Sequence, residues 1–327
     1  MSCAVKNISI ALAAYNGSNY IAEQLQSLLA QELLPSEIVI TDDSANDLTY
    51  EAVKPFLSSN IVRYIKNPYP LGVVKNFEKA ISLCTGEYIF LCDQDDVWLP
   101  EKTALLSNML ADDPRLDAVF CNSDQVDHDL HKLDKTLWKM RKFSPAMQKS
   151  LAAGEALKVY CKRIPLSSHN IAFKRRALEY LLPFPELEPF YPDTWIALAI
   201  ALNGKWQALD RSLTLYRVHQ SNCSAPAGNA LQAARHARRS SAALRNNLLA
   251  QELLKRAIGS DPAKEKILKN FALHHRKRSL YSKHLPIRLL QTAAELCSLR
   301  YFKYSNGLKT AAADLLIPPA QGHQMQQ

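Results

Sequence analysis

The chain has 327 residues, 47 % of them hydrophobic and 22 % charged, which excludes a disordered or collagen-like protein and leaves room for one large or two ordinary domains. Its longest apolar run, Trp195 to Leu202, is far too short to cross a bilayer. The net charge of +9 is unevenly spread: residues 225–327 hold 17 Lys and Arg against 5 Asp and Glu, or +12, which leaves −3 on residues 1–224.

In chain order, Asn7 to Tyr15 alternates as a strand and ends at the turn Asn16-Gly17-Ser18, which opens a helix from about Asn19 to Gln31. Glu37 to Thr41 is a second strand, ending in Asp42-Asp43-Ser44. A helix over Asp47 to Ser58, a strand over Ile61 to Lys66 and a helix over Val73 to Cys84 follow. The run Glu87 to Cys92 is a buried strand, after which Asp93-Gln94-Asp95-Asp96 leads through Val97-Trp98-Leu99 into a helix near Pro100-Glu101-Lys102. Alternating strands and helices predict an α/β fold with a mostly parallel sheet flanked by helices and right-handed crossovers. Leu116 to Cys121, Ile171 to Lys174, Trp206 to Asp210 and Leu213 to Tyr216 read as further strands, with a helix over Thr194 to Asn203. Residues 129–162 give no clear order. Beyond a boundary near Ser224 to Gly228 the pattern becomes long helices over Leu231 to Ile258, Pro262 to Lys283 and Ile287 to Leu299. The expected division is therefore 1–224 for the α/β body and 225–327 for a basic helical region.

Seven cysteines, Cys3, Cys84, Cys92, Cys121, Cys161, Cys223 and Cys297, are odd in number and form no CxxC, so they read as reduced core residues. No basic segment followed by an apolar one precedes the first strand, and a cytoplasmic location is expected.

Three carboxylates in four positions, Asp93, Asp95 and Asp96, repel one another unless a cation sits among them, and oxygen ligation favours Mg2+ or Mn2+ over zinc. The ends of the first, second and fourth strands bring Tyr15-Asn16, Asp42-Asp43 and Asp93 to Asp96 to one edge of the sheet, where open α/β sheets bind ligands. No GxGxxG or GxxxxGK[ST] loop is present, so a nucleotide held here cannot rely on backbone amides around its phosphates.

The segments Ile10 to Gly17, Ile38 to Ser44 and Gly86 to Asp96 resemble those of the inverting glycosyltransferases of family 2, which have the GT-A nucleotide-sugar fold. Within that family the DQDD-VW-P-K form, the segment Leu71-Gly72 to Ile81, Asp193-Thr194-Trp195 and Tyr216-Arg217-Val218-His219 are most similar to bacterial rhamnosyltransferases. The resemblance covers about the first two thirds of the chain. It implies a donor dTDP-sugar, or a UDP-sugar, whose nucleotide is bound by Tyr15, Asn16, Asp42 and Asp43, with Tyr15 and Asp43 holding the pyrimidine base and Lys75, Asn76 and Arg217 reaching the donor. Asp93 would orient ribose and metal, Asp95 would ligate the metal, and His219 would complete its shell. Asp193 would be the catalytic base, and Ser168-His169-Asn170 would lie near a glycan acceptor, expected to be lipid-linked. The sequence has Asp43-Ser44-Ala45 where the family carries DDGS. Each of these positions also has an ordinary structural reading: Asp42-Asp43 as a helix-capping turn, Asp193 as an N-cap, Lys75 as a solvated helix charge.

In the tail, Arg235, Arg238, Arg239 and Arg245 recur at near-helical spacing, and Arg276-Lys277-Arg278, Lys283 and Arg288 form a second cluster. Such runs usually mark a solvated helix face. Leu285, Ile287, Leu289 and Leu290 beside Arg288 make peripheral contact with the inner membrane the expected extra role, and nucleic-acid binding is disfavoured because the aromatics form no stacking motif.

Overall fold

A computed structural model describes residues 7–187, 191–219, 231–257, 259, 261–282 and 284–316. Cys3, Cys223, Lys283, the boundary at 224–228 and the side chains of Arg235, Arg238 and Arg239 lie outside the described residues. Two compact units are present. One comprises Met1–Ala156, Ile164–Phe184 and Tyr191–Asn222, and the other Leu157–Arg163, Pro185–Phe190 and Cys223–Gln327.

The first unit is built on a nine-stranded sheet: β1 (Ile8–Ala14), β2 (Glu37–Asp42), β3 (Val62–Lys66), β4 (Tyr88–Cys92), β5 (Val97–Trp98), β6 (Ala118–Val126), β7 (Lys132–Thr136), β8 (Ile171–Lys174) and β9 (Trp206–Arg217). Their order is β3-β2-β1-β4-β8-β6-β9-β5, with β7 paired to β6. β3, β2, β1 and β4 run parallel, as the sequence implies. β8 is antiparallel to both β4 and β6, and β9 is parallel to β6, so the sheet as a whole is mixed. Because β8 is reversed between β4 and β6, the carboxyl ends of β4, β6 and β9 and the amino end of β8 all reach one edge. That is where β1 and β2 also end, since Ala14 pairs with Asp42 and Leu12 with Cys92.

The core of this unit is the continuous apolar content of β1, β2 and β4 together with one face of the helix Ile21–Leu29, where Ile21, Leu25 and Leu28 are fully buried. β1 and β4 approach so closely at Gly86 that a Cβ there would lie 2.6 Å from Ser9 Oγ, 2.8 Å from Ser9 N and 2.9 Å from Asn7 O. Two of these atoms are backbone and cannot swing aside. Gly86→Ala should therefore part the strands and cost about 1–3 kcal/mol; an unchanged urea midpoint would show that the strands tolerate the methyl.

The second unit is helical, with Leu231–Lys255, Pro262–Ser279, Leu285–Cys297, Arg300–Tyr304 and Leu308–Leu316 joined by the internal helix Ala156–Lys162. Its interior is unusually polar. Glu295 is buried and accepts bonds from His274 Nδ1 at 3.0 Å, from Arg300 Nε at 2.8 Å and Nη2 at 2.6 Å, and pairs with Lys277 Nζ at 3.0 Å. Asp314 accepts from Arg278 Nε at 2.6 Å and from the Tyr301 hydroxyl at 2.8 Å. Cys84, Cys92, Cys121 and Cys161 are free and buried, as expected, whereas Cys297 is free and exposed. No helix among the described residues is long and apolar enough to cross a membrane.

Candidate active site

β1 delivers Tyr15 to the edge, where the residue is 58 % exposed. Its backbone is held by the side chain of Gln94: Tyr15 N–H donates to Gln94 Oε1 at 2.9 Å, and Gln94 Nε2 donates to Tyr15 O at 2.9 Å. The Gln94 amide thus extends the β1–β4 ladder by one rung. A Cβ at Gly17 would meet the Gln94 amide, so a larger residue there would displace that side chain from Tyr15.

Asp42 and Asp43, adjacent in sequence, do different things. Asp42 is fully buried; Oδ2 accepts from the Tyr64 hydroxyl at 2.6 Å and Oδ1 from the Ser44 hydroxyl at 2.5 Å. Ser44 in turn accepts from Asn16 N–H at 2.8 Å. Asp42 therefore fixes the turn, and both it and Asp43 are buried, at 0 and 4 % exposed. The same network explains how this turn dispenses with the family's glycine, since the Ser44 hydroxyl ties it to Asp42 and Asn16. Asp43 accepts from Asn67 Nδ2 at 2.6 Å and from Gly72 N–H at 2.8 Å. Asn76 is buried and braces this group, donating to Ala14 O at 3.0 Å and accepting from Asn67. Lys75 pairs with Glu78 at 2.8 Å on the helix Val73–Leu83, the ordinary helix-surface role.

The run after β4 splits its carboxylates between two settings. Asp93, partly exposed, accepts from the Ser168 hydroxyl at 2.7 and 2.9 Å. Asp95 lies 2.9 Å from His219 Nε2, and the His219 ring stacks on Tyr20 with centroids 4.9 Å apart. Asp96 is fully buried; Oδ1 accepts from Arg217 N–H at 3.0 Å, while Oδ2 has no hydrogen-bond partner and lies 3.4 Å from His169 Nδ1. Burial pushes the Asp95 carboxyl up and the charge of Asp93 adds to the rise, against the bond from His219. Burial pushes Asp96 up further, with Asp95 and Asp93 reinforcing it.

Arg217 is not free to meet a phosphate. Its guanidinium is buried, donates to Asp95 O at 2.9 Å, to His128 O and to Glu23, and lies 4.8 Å over the Tyr20 ring. It braces the carboxylate turn. Of Ser168-His169-Asn170, expected near the acceptor, His169 and Asn170 are fully buried and Ser168 is half-buried against Asp93. His169 lies between Ser123, whose Oγ is 2.9 Å from Nε2, and the two carboxylates of Asp93 and Asp96, each 3.4 Å from Nδ1. Beneath them lies Lys102, which the sequence reading treats only as a helix start. It is fully buried, donates to His169 O at 2.5 Å and Thr214 Oγ1 at 2.8 Å, and sits 3.5 Å over the Trp98 ring. Burial pulls its ammonium down to about 8, against the pull of nearby thiols and of Asp96 and Asp93.

Asp93, Asp96 and His169 each offer a ligand atom, all within 4.8 Å of one another. The unpartnered Asp96 Oδ2 and His169 Nδ1 are the kind of buried polar atoms a cation would satisfy, so this group could hold a metal ion. Asp95 and His219, 17 and 13 % exposed, also face each other.

Asp193 lies in the first turn of the helix Pro192–Asn203, whose N-cap is Tyr191, so it does not itself cap the helix. Burial pushes its carboxyl up, Arg141 opposes this, and the charge of Asp93 adds to the rise. The field of the carboxylate run therefore reaches Asp193. Trp98 and Trp195 are both core, and Trp195 Nε1 donates to Leu181 O at 2.8 Å.

The description Glycosyl transferase family 2 fits residues 9–182, just over half of the chain. The chain belongs to glycosyl transferase family 2. An uncharacterized glycosyltransferase of Nostoc sp. is 28 % identical over 225 residues, 66 % of this chain and 66 % of that protein. The UDP-Glc:alpha-D-GlcNAc-diphosphoundecaprenol beta-1,3-glucosyltransferase WfaP of Escherichia coli is 36 % identical over 95 residues, 29 % of this chain and 38 % of its own length. Among solved structures, residues 1–349 of S. aureus TarS in complex with UDP superpose with a TM-score of 0.59 at 16 % identity, covering 95 % of this chain and 88 % of that one. The mannosyltransferase PcManGT from Pyrobaculum calidifontis, in complex with GDP-Man and Mn2+, gives 0.57 at 19 % identity, covering 97 % and 82 %. At these identities the structural likeness speaks for the GT-A-like fold of the family 2 chain.

Proposed function

We propose that this family 2 chain is a metal-dependent inverting glycosyltransferase that moves L-rhamnose from dTDP-β-L-rhamnose to a sugar hydroxyl of a growing lipopolysaccharide or surface polysaccharide. The reading is supported by the strand ends that bring exposed Tyr15, hydrogen-bonded Asp43 and the carboxylate run to one sheet edge, and by the charge of Asp93 acting on the carboxyl of Asp193 on a separate helix. The pyrimidine of the donor would stack on Tyr15, and Asp43 would accept from its ring N–H. Asp95 and His219, with Asp93, would hold Mg2+ or Mn2+ where both the donor and solvent can reach it, and the ion would neutralise charge on the leaving diphosphate. Asp193 would take the proton of the acceptor hydroxyl as its oxygen attacks the anomeric carbon opposite the diphosphate. The bond from the anomeric carbon to the diphosphate oxygen breaks in the same displacement, so the configuration inverts with no covalent nucleophile.

The rhamnose donor is supported by the DQDD-VW-P-K form and the segments that accompany it. A second reading, a UDP-hexose or UDP-N-acetylhexosamine donor, is favoured by the UDP, UDP-GlcNAc and UDP-Glc in the descriptions of the similar proteins. The diphosphoundecaprenol in the E. coli relative's name supports a lipid-linked acceptor and work at the cytoplasmic face of a membrane. A panel of dTDP-, UDP- and GDP-sugars, assayed for nucleotide release, separates the readings: turnover only with a UDP-hexose rejects rhamnose. Chelation should abolish release and added Mn2+ or Mg2+ restore it. Asp95→Asn should weaken metal-dependent nucleotide binding by about tenfold or more, and binding that is indifferent to both treatments would overturn the metal.

A further inference from the structure

Helices of a water-soluble unit normally turn their apolar stripe inward. The helix Leu285–Cys297 does the reverse. Arg288, Thr292 and Glu295, spaced four and three residues apart on one face, are at most 5 % exposed, while Leu285, Ile287, Leu289 and Leu290 are between 47 and 73 % exposed. The inward polar face is fixed by specific bonds: Arg288 donates from Nε at 3.1 Å and from Nη2 at 2.9 Å to Leu315 O, and Glu295 is held by His274, Lys277 and Arg300. Rolling the helix over would break all of these, so the outward apolar face is a settled property of the unit. Exposed apolar residues gathered on one helix in this way mark an interaction surface.

We propose that this face lies on an anionic lipid bilayer. The charge of this region selects that occupant. Residues 225–327 carry +12; of their five acids, Glu295 and Asp314 are turned inward and paired, and Glu252 and Glu265 are paired with Lys255, Arg256 and Lys269 on their own helices. Exposed cations, Arg276, Lys303 and Lys309 among them, outnumber the acids exposed on the described residues of this segment and set the sign of its outer surface. A second copy of the chain would bring like charge to like, whereas a bilayer with acidic headgroups brings the opposite sign together with an apolar phase for the leucines. With no described helix long enough to span, the helix rests in the interface plane. The inference stands apart from the choice of sugar donor; it adds to the proposed function a surface that would bring the enzyme to a lipid-linked acceptor.

The test is sedimentation of the full chain with vesicles of phosphatidylcholine alone or with about one third phosphatidylglycerol. The wild-type chain is expected to partition onto the anionic vesicles and to leave them as salt rises. Leu289→Glu with Leu290→Glu, both on the exposed face, should reduce partitioning by about tenfold or more with unchanged circular dichroism, and Lys303→Glu with Lys309→Glu should reduce it on anionic vesicles. Wild-type chain that stays in the supernatant, or a leucine variant that binds as tightly, overturns the proposal. So does a wild-type dimer that the leucine variant dissociates without any vesicle binding, which would assign the face to self-association. Nucleotide release from sugar donors without vesicles tests the transferase reading separately, so either can fail alone.

Discussion

Asp193→Asn should lower glycosyl transfer by about 10²- to 10⁴-fold while leaving the affinity for nucleotide and metal unchanged. The side chain belongs to the helix Pro192–Asn203 and not to the carboxylate turn, so neutralising it removes no bond from that turn. Burial is the main cause of its raised carboxyl, with Asp93 reinforcing it. A base must be ionised to act, so the rate should fall as pH drops through the raised value, placing the acid limb above the ordinary 3.8. Linkage keeps this separate from unfolding. A carboxyl raised on folding takes up a proton as the chain folds, so stability declines as pH rises from 3.8 through the folded value. Asn removes that decline, and the variant should be no less stable than the parent at neutral pH. Calorimetric titration with dTDP and Mn2+ beside an initial-rate assay decides the matter; transfer that survives the substitution places the base elsewhere.

Glu295→Gln is expected to cost about 3 kcal/mol of stability, confined to the helical unit. Burial alone would raise this carboxyl, but the bonds from Arg300, His274 and Lys277 outweigh it and hold Glu295 well below the usual carboxylate range. Its stabilisation is therefore present above the unfolded value of 4.5 and is lost as pH falls below it. With Gln in its place, three cationic or protonatable groups face one another around a neutral amide. All four tryptophans, Trp98, Trp138, Trp195 and Trp206, belong to the other unit, so their fluorescence follows that unit alone while the far-ultraviolet signal reports the helices of both. Urea titration should move the second transition and leave the first. Coincident, unshifted transitions in the variant would remove Glu295 from the stability of the unit.

The parallel half of the sheet was legible because β1, β2 and β4 are apolar runs bounded by turn residues. β5 and β7 were not: one has two residues, and the other, Lys132–Thr136, is a charged, exposed edge without alternation. β9 reads as two strands because Asp210-Arg211-Ser212 interrupts its apolar pattern, where the pairing with β6 shifts register. At the site, the positions of Tyr15, Asp43 and Asp93 follow from strand ends alone. Asp96, His169 and Arg217 do not, because their burial depends on the reversed β8 bringing Ser168–Asn170 to the same edge. Lys102 did carry a signal. It shares a helix face with Leu106 and Leu110, four and eight residues on, and a lysine on an apolar stripe must find partners inside.

Gln94 clamps the main chain of Tyr15 from both sides, through one accepted and one donated bond. The segment beneath the aromatic ring is thus already ordered before any planar molecule arrives. A ligand that stacks there has only the ring torsions to immobilise, and not a loop, so little of its binding enthalpy is spent on conformational entropy.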